Sequence, residues 1–272
     1  MVRQISYTFD RNARLTTNQK GRSGLCNFRR HITAMPSSNE EPFTRIYKKK
    51  QWGTEGKGSG PGSAQLQAAG ASRILYHVIM MVNATSVIDA PCGAMDWQTP
   101  LLNQLIPTVP SFHYLGVDVV ADVVSYNQRM FDVQWSLHKN ISKVNPGFSV
   151  EFVQADLADK NWNVPYGYDL ILCRDALQHN TLSDVWRILQ RFANSEAKYF
   201  LVGSYPEGSM YCRYTRDGSP NINLSHAGGF FCVDLQKPPF NLVPSQIFRE
   251  ATHDRKTLYL FSRLELLSQL QY

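Results

Sequence analysis

Residues Ser86 to Trp97 read SVIDAPCGAMDW. A short apolar run ends on Asp89 and breaks at once into Pro91-Cys92-Gly93, the pattern of a brief buried strand that empties into a turn. Outward from it, strand patterns at 113–119, 149–155, 168–173, 198–204 and 258–263 alternate with helical ones at 65–82, just after Trp97, at 120–139 and at 182–194. In the last of these Leu182, Val185, Trp186, Leu189 and Phe192 form one apolar stripe, opened by Thr181 with Asp184 as a capping pair. Such alternation predicts parallel pairing through right-handed crossovers. The expected fold is therefore a doubly wound, mostly parallel α/β sheet with helices on both faces.

The 272 residues, 43% of them hydrophobic, suffice for a large core. No run approaches the roughly 18 apolar residues of a membrane helix, and the opening MVRQISYTFDRNARL has no continuous apolar core of a signal peptide. The expectation is a chain without a membrane span, cytoplasmic as written; nothing in it sets an oligomeric state. Five widely spaced cysteines without a C-x-x-C pair fit a reducing compartment and give no metal site. Asn83, Asn140 and Asn223 begin glycosylation-type triplets, which would matter only on a secretory route.

Charge divides the chain. Residues 1–50 hold 11 Lys and Arg against 3 acids, so of the 28 basic and 22 acidic residues the remainder keeps 17 against 19. Residues 1–44 read as a basic, disordered arm, either a solvated tail or a contact for nucleic acid or an acidic partner, and 45–272 as the folded domain. The domain itself carries no excess of positive charge for DNA.

Four strand ends carry polar groups: Asp89, Asp118, Asp156 and the pair Arg174-Asp175. In a parallel sheet these fall on one edge, where ligands bind, and they supply acceptors for ribose hydroxyls and for an adenine amine. The first turn separates two nucleoside cofactors. A dinucleotide site wants G-x-G-x-x-G against a helix N-terminus, which Pro91, Met95 and Asp96 spoil. Carboxylates near the turn repel a diphosphate but favour a sulfonium and an ammonium.

At this point the chain resembles the class I S-adenosylmethionine-dependent methyltransferases: Asp89-Ala-Pro-Cys-Gly is similar to their first motif, with proline for the first glycine, Asp118 to their ribose-binding acid and Asp156-Leu157 to their adenine-contacting motif. W-G…S-G-P-G-S, D-A-P-C-G-x-x-x-W and C-R-D-x-L-x-H together resemble a smaller group of methyltransferase-like proteins. The resemblance implies S-adenosyl-L-methionine as cofactor, held by Asp89, Pro91, Gly93, Trp97, Asp118, Val119, Asp156, Leu157 and Arg174. Residues Trp52 to Ser63 are either a flexible linker or a lid in which Trp52, Ser59 and Ser63 close over the cofactor; Arg73 is a second candidate for its carboxylate. Gly93 is expected to let the backbone approach the ligand, and Cys92 to pack or line the site without acting as a nucleophile.

The acceptor end follows strand four. There the chain lacks the D/N-P-P-aromatic motif of enzymes that methylate base or amide nitrogens, which argues against DNA. Asp175 and His179, four apart, share a face if the turn is helical, the first to bind a cation or hydroxyl and the second to take a proton. YDLILCRDALQH is similar to the fourth-strand motif of phosphoethanolamine methyltransferases, where Asp and His serve the amine, and Tyr205 and Tyr47 correspond to tyrosines of those pockets. Residues 206–257, with Tyr211, Arg213, Tyr214, Arg216 and the Gly228-Gly229 pair, read as a substrate-side insertion. The function expected is methyl transfer to a small polar acceptor, a hydroxyl or amine such as a phospho-amine or glycan-like group. The alternative is a catalytically silent module of the same fold that binds a partner through its arm.

Overall fold

The computed structural model describes residues 39–137, 145–206, 209, 220–251 and 256–270. The first 38 residues, Asn140, and Tyr211, Arg213, Tyr214 and Arg216 of the insertion lie outside them.

Seven strands, β1 (Ser86–Asp89), β2 (His113–Asp118), β3 (Ser149–Gln154), β4 (Leu170–Cys173), β5 (Tyr199–Ser204), β6 (Gln246–Arg249) and β7 (Thr257–Ser262), form one sheet in the order β3-β2-β1-β4-β5-β7-β6. The first five pair in parallel, whereas β7 runs antiparallel to β5 and to β6. The fold is thus the expected doubly wound α/β sheet. The short β6 escaped the sequence reading because three of its four residues are exposed at the sheet edge, so no apolar alternation marks it.

Six α-helices accompany the sheet among the described residues: α1 (Glu40–Lys48), α2 (Ala69–Met81), α3 (Gln98–Leu105), α4 (Ala121–Leu137), α5 (Leu182–Ala193) and α6 (Arg263–Gln269). The central strands are buried on both faces. Val87, Leu170 and Leu172 pack with α2 and α3, while Ile88, Ile171 and Val202 pack with the apolar stripe of α5 and with Leu266 of α6. This alternation across neighbouring strands follows from the two-residue side-chain period of a strand. Helix α5 begins as its sequence demands, with the Thr181 hydroxyl accepting from the Asp184 N–H at 3.2 Å. Helix α2 starts at Ala69, four residues later than its apolar pattern suggested, after the turns of the preceding segment.

Residues 39–44, grouped with the arm in the sequence reading, belong to this folded unit: α1 starts at Glu40 and carries Phe43, Ile46 and Tyr47 inward. Cys92 and Cys173 are buried free thiols, but Cys232 is disulfide-bonded, which departs from the reading of all five cysteines as reduced. No described helix is long and apolar enough to cross a membrane.

Candidate functional site

Parallel pairing sends the ends of β1, β2, β3 and β4 to one edge, and a single cleft opens there. Its walls include Asp89, Pro91, Gly93, Trp97, Asp118, Val119, Asp156, Leu157, Arg174, Asp175 and His179, roofed by Phe43, Tyr47, Trp52, Ser59 and Ser63. The geometry thus brings together every site residue read from the sequence except Tyr205, which does not line the cleft, and the secondary candidate Arg73, which lies on an exposed groove beyond Trp97.

The turn after β1 is held from several sides. Asp118 accepts from the Gly93 N–H at 3.1 Å and from the Val120 N–H at 2.9 Å. Asp89 accepts from Gln98 Nε2 at 2.8 Å and from the Tyr114 hydroxyl at 2.5 Å. Gly93 has φ +56°, and a side chain there would come within 2.8 Å of Ser59 Oγ. Its missing Cβ therefore makes room for the roof. Ser59 Oγ in turn takes the Ala94 N–H at 3.0 Å and shares a 2.8 Å hydrogen bond with the Tyr47 hydroxyl. Residues 52–63 are an ordered strap and not a free linker: two short 3-10 turns, with positive φ at Gly53, Gly56, Gly58 and Gly60, lay it across the cleft.

Burial governs the acids at this end. It raises Asp89 to about 7 against the opposing hydrogen bonds from Tyr114 and Gln98. It raises Asp118 to about 6 against those from backbone N–H groups. Burial likewise pushes the Cys92 thiol well above its usual range, so that the nucleophilic thiolate is suppressed. Asp156 is buried and holds the Ala158 N–H at 2.9 Å and Asn39 Nδ2 at 3.3 Å on Oδ1, but its Oδ2 is buried with no hydrogen-bond partner. Gln98 Oε1, on the same cleft, is also unpartnered. Buried acceptors left open in a cleft call for a donor from a ligand.

The β4 end of the cleft is organised differently. Asp175 has φ +53°, so the chain does not pass helically from it into the 3-10 turn Leu177–His179, and the shared helical face expected for Asp175 and His179 is absent. Asp175 Oδ1 accepts from the Tyr205 hydroxyl at 2.8 Å, and Oδ2 faces Lys256 Nζ at 2.9 Å and Arg174 Nη1 at 3.1 Å. Burial alone would raise its pKa; the charges of Arg174 and Lys256 hold it well below the usual carboxylate range instead. Arg174 forks onto Glu250, both bonds 2.8 Å, donates to the Gly62 carbonyl at 3.0 Å and lies over the Trp97 ring.

His179 stands apart from this network. Its Nδ1 lies 2.7 Å from the Gly229 carbonyl, which can only accept, so Nδ1 carries the proton and Nε2 is the basic nitrogen. The ring lies against Trp52, centroids 4.6 Å apart, and near Phe230 of the insertion. Burial lowers its pKa from the usual 6.5, favouring the neutral base.

Sequence reasoning missed Asn39, Phe43, Gln98, Glu250 and Lys256. The first two had a signal, since Phe43, Ile46 and Tyr47 repeat at helical spacing inside EEPFTRIYK. Gln98 lay one residue past the motif. Glu250 and Lys256 reach the edge only because β6 and β7 form a hairpin, which no local pattern announced.

No protein-family model and no curated protein sequence matches the chain. Among solved structures, PigF with SAH is similar over 81% of this chain and 62% of its own, at 13% identity and a TM-score of 0.52. The mitomycin 7-O-methyltransferase MmcR is similar over 76% of this chain and 56% of its own, at 15% identity and a TM-score of 0.50. The chain thus spans about three fifths of the length of these neighbours. At this distance the likeness establishes a Rossmann-like methyltransferase fold.

Proposed function

We propose that the protein is an S-adenosyl-L-methionine-dependent methyltransferase that acts on a small polar acceptor, a hydroxyl in preference to an amine cation. The observation that carries the reading is Asp156 Oδ2, a buried, unpartnered carboxylate oxygen on the cleft beside Asp118. An exocyclic adenine amine supplies the donor it lacks. Asp118 keeps a lone pair on each oxygen for ribose hydroxyls, and Asp89 with Gln98 Oε1 suits the ammonium of a methionine tail. The neighbour crystallised with SAH and the neighbour named as an O-methyltransferase support the same reading.

When bound, the cofactor supplies a methyl group on a cationic sulfur. The chain's part is to position and to handle a proton: His179 Nε2 takes or relays the proton of the acceptor hydroxyl, Trp52 covers the imidazole, and the strap limits water. Asp175 is already balanced by Lys256 and Arg174 and holds Tyr205. Among the described residues this end therefore offers no spare negative charge for an ammonium, and an uncharged hydroxyl is the better partner.

Calorimetry with S-adenosylhomocysteine, followed by turnover on pools of hydroxylated and amine metabolites, tests the proposal. Saturable binding and methylated hydroxyl products are expected; binding of NADH in its place would overturn it, and cofactor binding without turnover on any acceptor would leave the silent module. His179→Ala should lower turnover by about 10² to 10⁴ with S-adenosylhomocysteine affinity unchanged. Equal turnover in variant and wild type would remove the base from the mechanism.

A further inference from the structure

The strap that roofs the cleft is fastened at Gly62, on the residues that follow β4. Its Gly62 carbonyl accepts from Arg174 Nη1 at 3.0 Å. A Cβ at Gly62 would stand 2.5 Å from Asp175 Oδ2 and 2.6 Å from Lys256 Nζ, so the backbone sits directly on that ion pair. Behind it Glu250 grips Arg174 through both carboxylate oxygens. Among the described residues two cations and two anions thus meet in one largely buried group, with Arg174 and Glu250 side chains only 4% and 1% exposed.

Each member has a separate task. Glu250 fixes the plane of the guanidinium by a two-point grip, which aims Nη1 at Gly62. Lys256 draws Asp175 Oδ2 to the place where Gly62 rests. Because the four charges balance, an uncharged segment of backbone can lie against them without leaving a buried charge unanswered. The same strap carries Trp52 onto His179 and Ser59 onto the Ala94 N–H.

We propose that Glu250 and Lys256 are positioning residues. With Arg174 and Asp175 they form a latch that seats Gly62 and thereby holds the strap shut over both halves of the cleft. The role assigned to the cleft rests on the proposed methyltransferase reading, but the latch is a property of the free chain. Exchange of ligand then requires breaking the Arg174–Gly62 hydrogen bond together with those of Ser59, and sliding Gly62 off the ion pair, with the four charges left in place.

Amide hydrogen exchange on the full chain without ligand tests this. In Gly62→Ala, Glu250→Gln and Lys256→Met the segment 50–64 should exchange about tenfold faster or more, while β1 and β4 keep wild-type protection. Lys256→Arg, which keeps the cation, should retain most of the protection. Dissociation of S-adenosylhomocysteine should quicken in the same three variants by a similar factor. Gly62→Ala leaves every charge in place, so it decides the question even if the charge variants fail to fold; wild-type exchange over 50–64 in that variant overturns the latch. A wild type that binds no S-adenosylhomocysteine would instead refute the proposed function, and the exchange of the strap would still judge the latch.

Discussion

At the β1–β3 end of the cleft Asp89, Asp118 and Asp156 are buried among neutral donors: a tyrosine, two amides and backbone N–H groups. At the β4 end Asp175 sits between a lysine and an arginine. The same side chain is driven in opposite directions, upward for the buried Asp89 and Asp118 and downward for Asp175, whose side chain keeps 15% exposure. Neutral dipoles solvate a carboxylate incompletely and leave it receptive to a further donor. Full cations complete it and turn it into part of the framework.

The largest effect should come from unbalancing the complete end. Arg174→Met leaves Glu250 without its fork and Asp175 with a single cation, and should lower unfolding free energy by about 3 to 5 kcal/mol, read by urea denaturation. A loss below about 1 kcal/mol would place the group in the class of exposed ion pairs and erase the contrast. Next comes the incomplete end: Asp118→Ala should weaken S-adenosylhomocysteine binding by about 1.5 to 3 kcal/mol with a smaller change in melting temperature. Equal affinity in the two proteins would detach Asp118 from the ligand.

The smallest effect is in pH, and its sign differs between the two ends. Asp118 goes from the usual 3.8 to about 6 on folding, so its contribution is full below pH 4 and declines as pH rises toward 6. Asp175, depressed on folding, contributes above the usual carboxylate range and loses that contribution as pH falls. Asp118→Asn should therefore flatten the fall in melting temperature between pH 4 and 6. An unchanged slope would mean that Asp89, raised further to about 7, or other groups dominate that range.

The β1–β5 architecture was legible because each central strand is a dense apolar run with a polar residue at its end, and the sheet brings those ends to one edge. The gathering of Asp89, Asp118 and Asp156 at one cleft was legible for the same reason, since they lie within a residue or two of their strands. The β4 end was not. Asp175 looks like a free cation site until Lys256, 81 residues later, is placed beside it, and such pairings are set by tertiary packing alone. His179 was found by its spacing from Asp175, yet the helical face invoked for the pair is missing, and Trp52 and the Gly229 carbonyl position the ring instead. Helix α1 was passed over because charge in the surrounding segment outweighed its three inward residues.

The antiparallel course of β7 has an implication for how such a molecule can diverge. In the parallel strands only the residues that follow a strand reach the cleft edge, so any change there falls beside Asp89, Asp118, Asp156 or Asp175. The β6–β7 hairpin reaches the same edge by a different route, delivering Glu250 just after one strand and Lys256 just before the next. Sequence change in that hairpin can alter the charge at the β4 end of the cleft while β1, β2 and β3 and their acids stay as they are. Under the proposed methyltransferase reading, acceptor preference and cofactor retention would then sit on separate stretches of the sequence, free to vary at different rates.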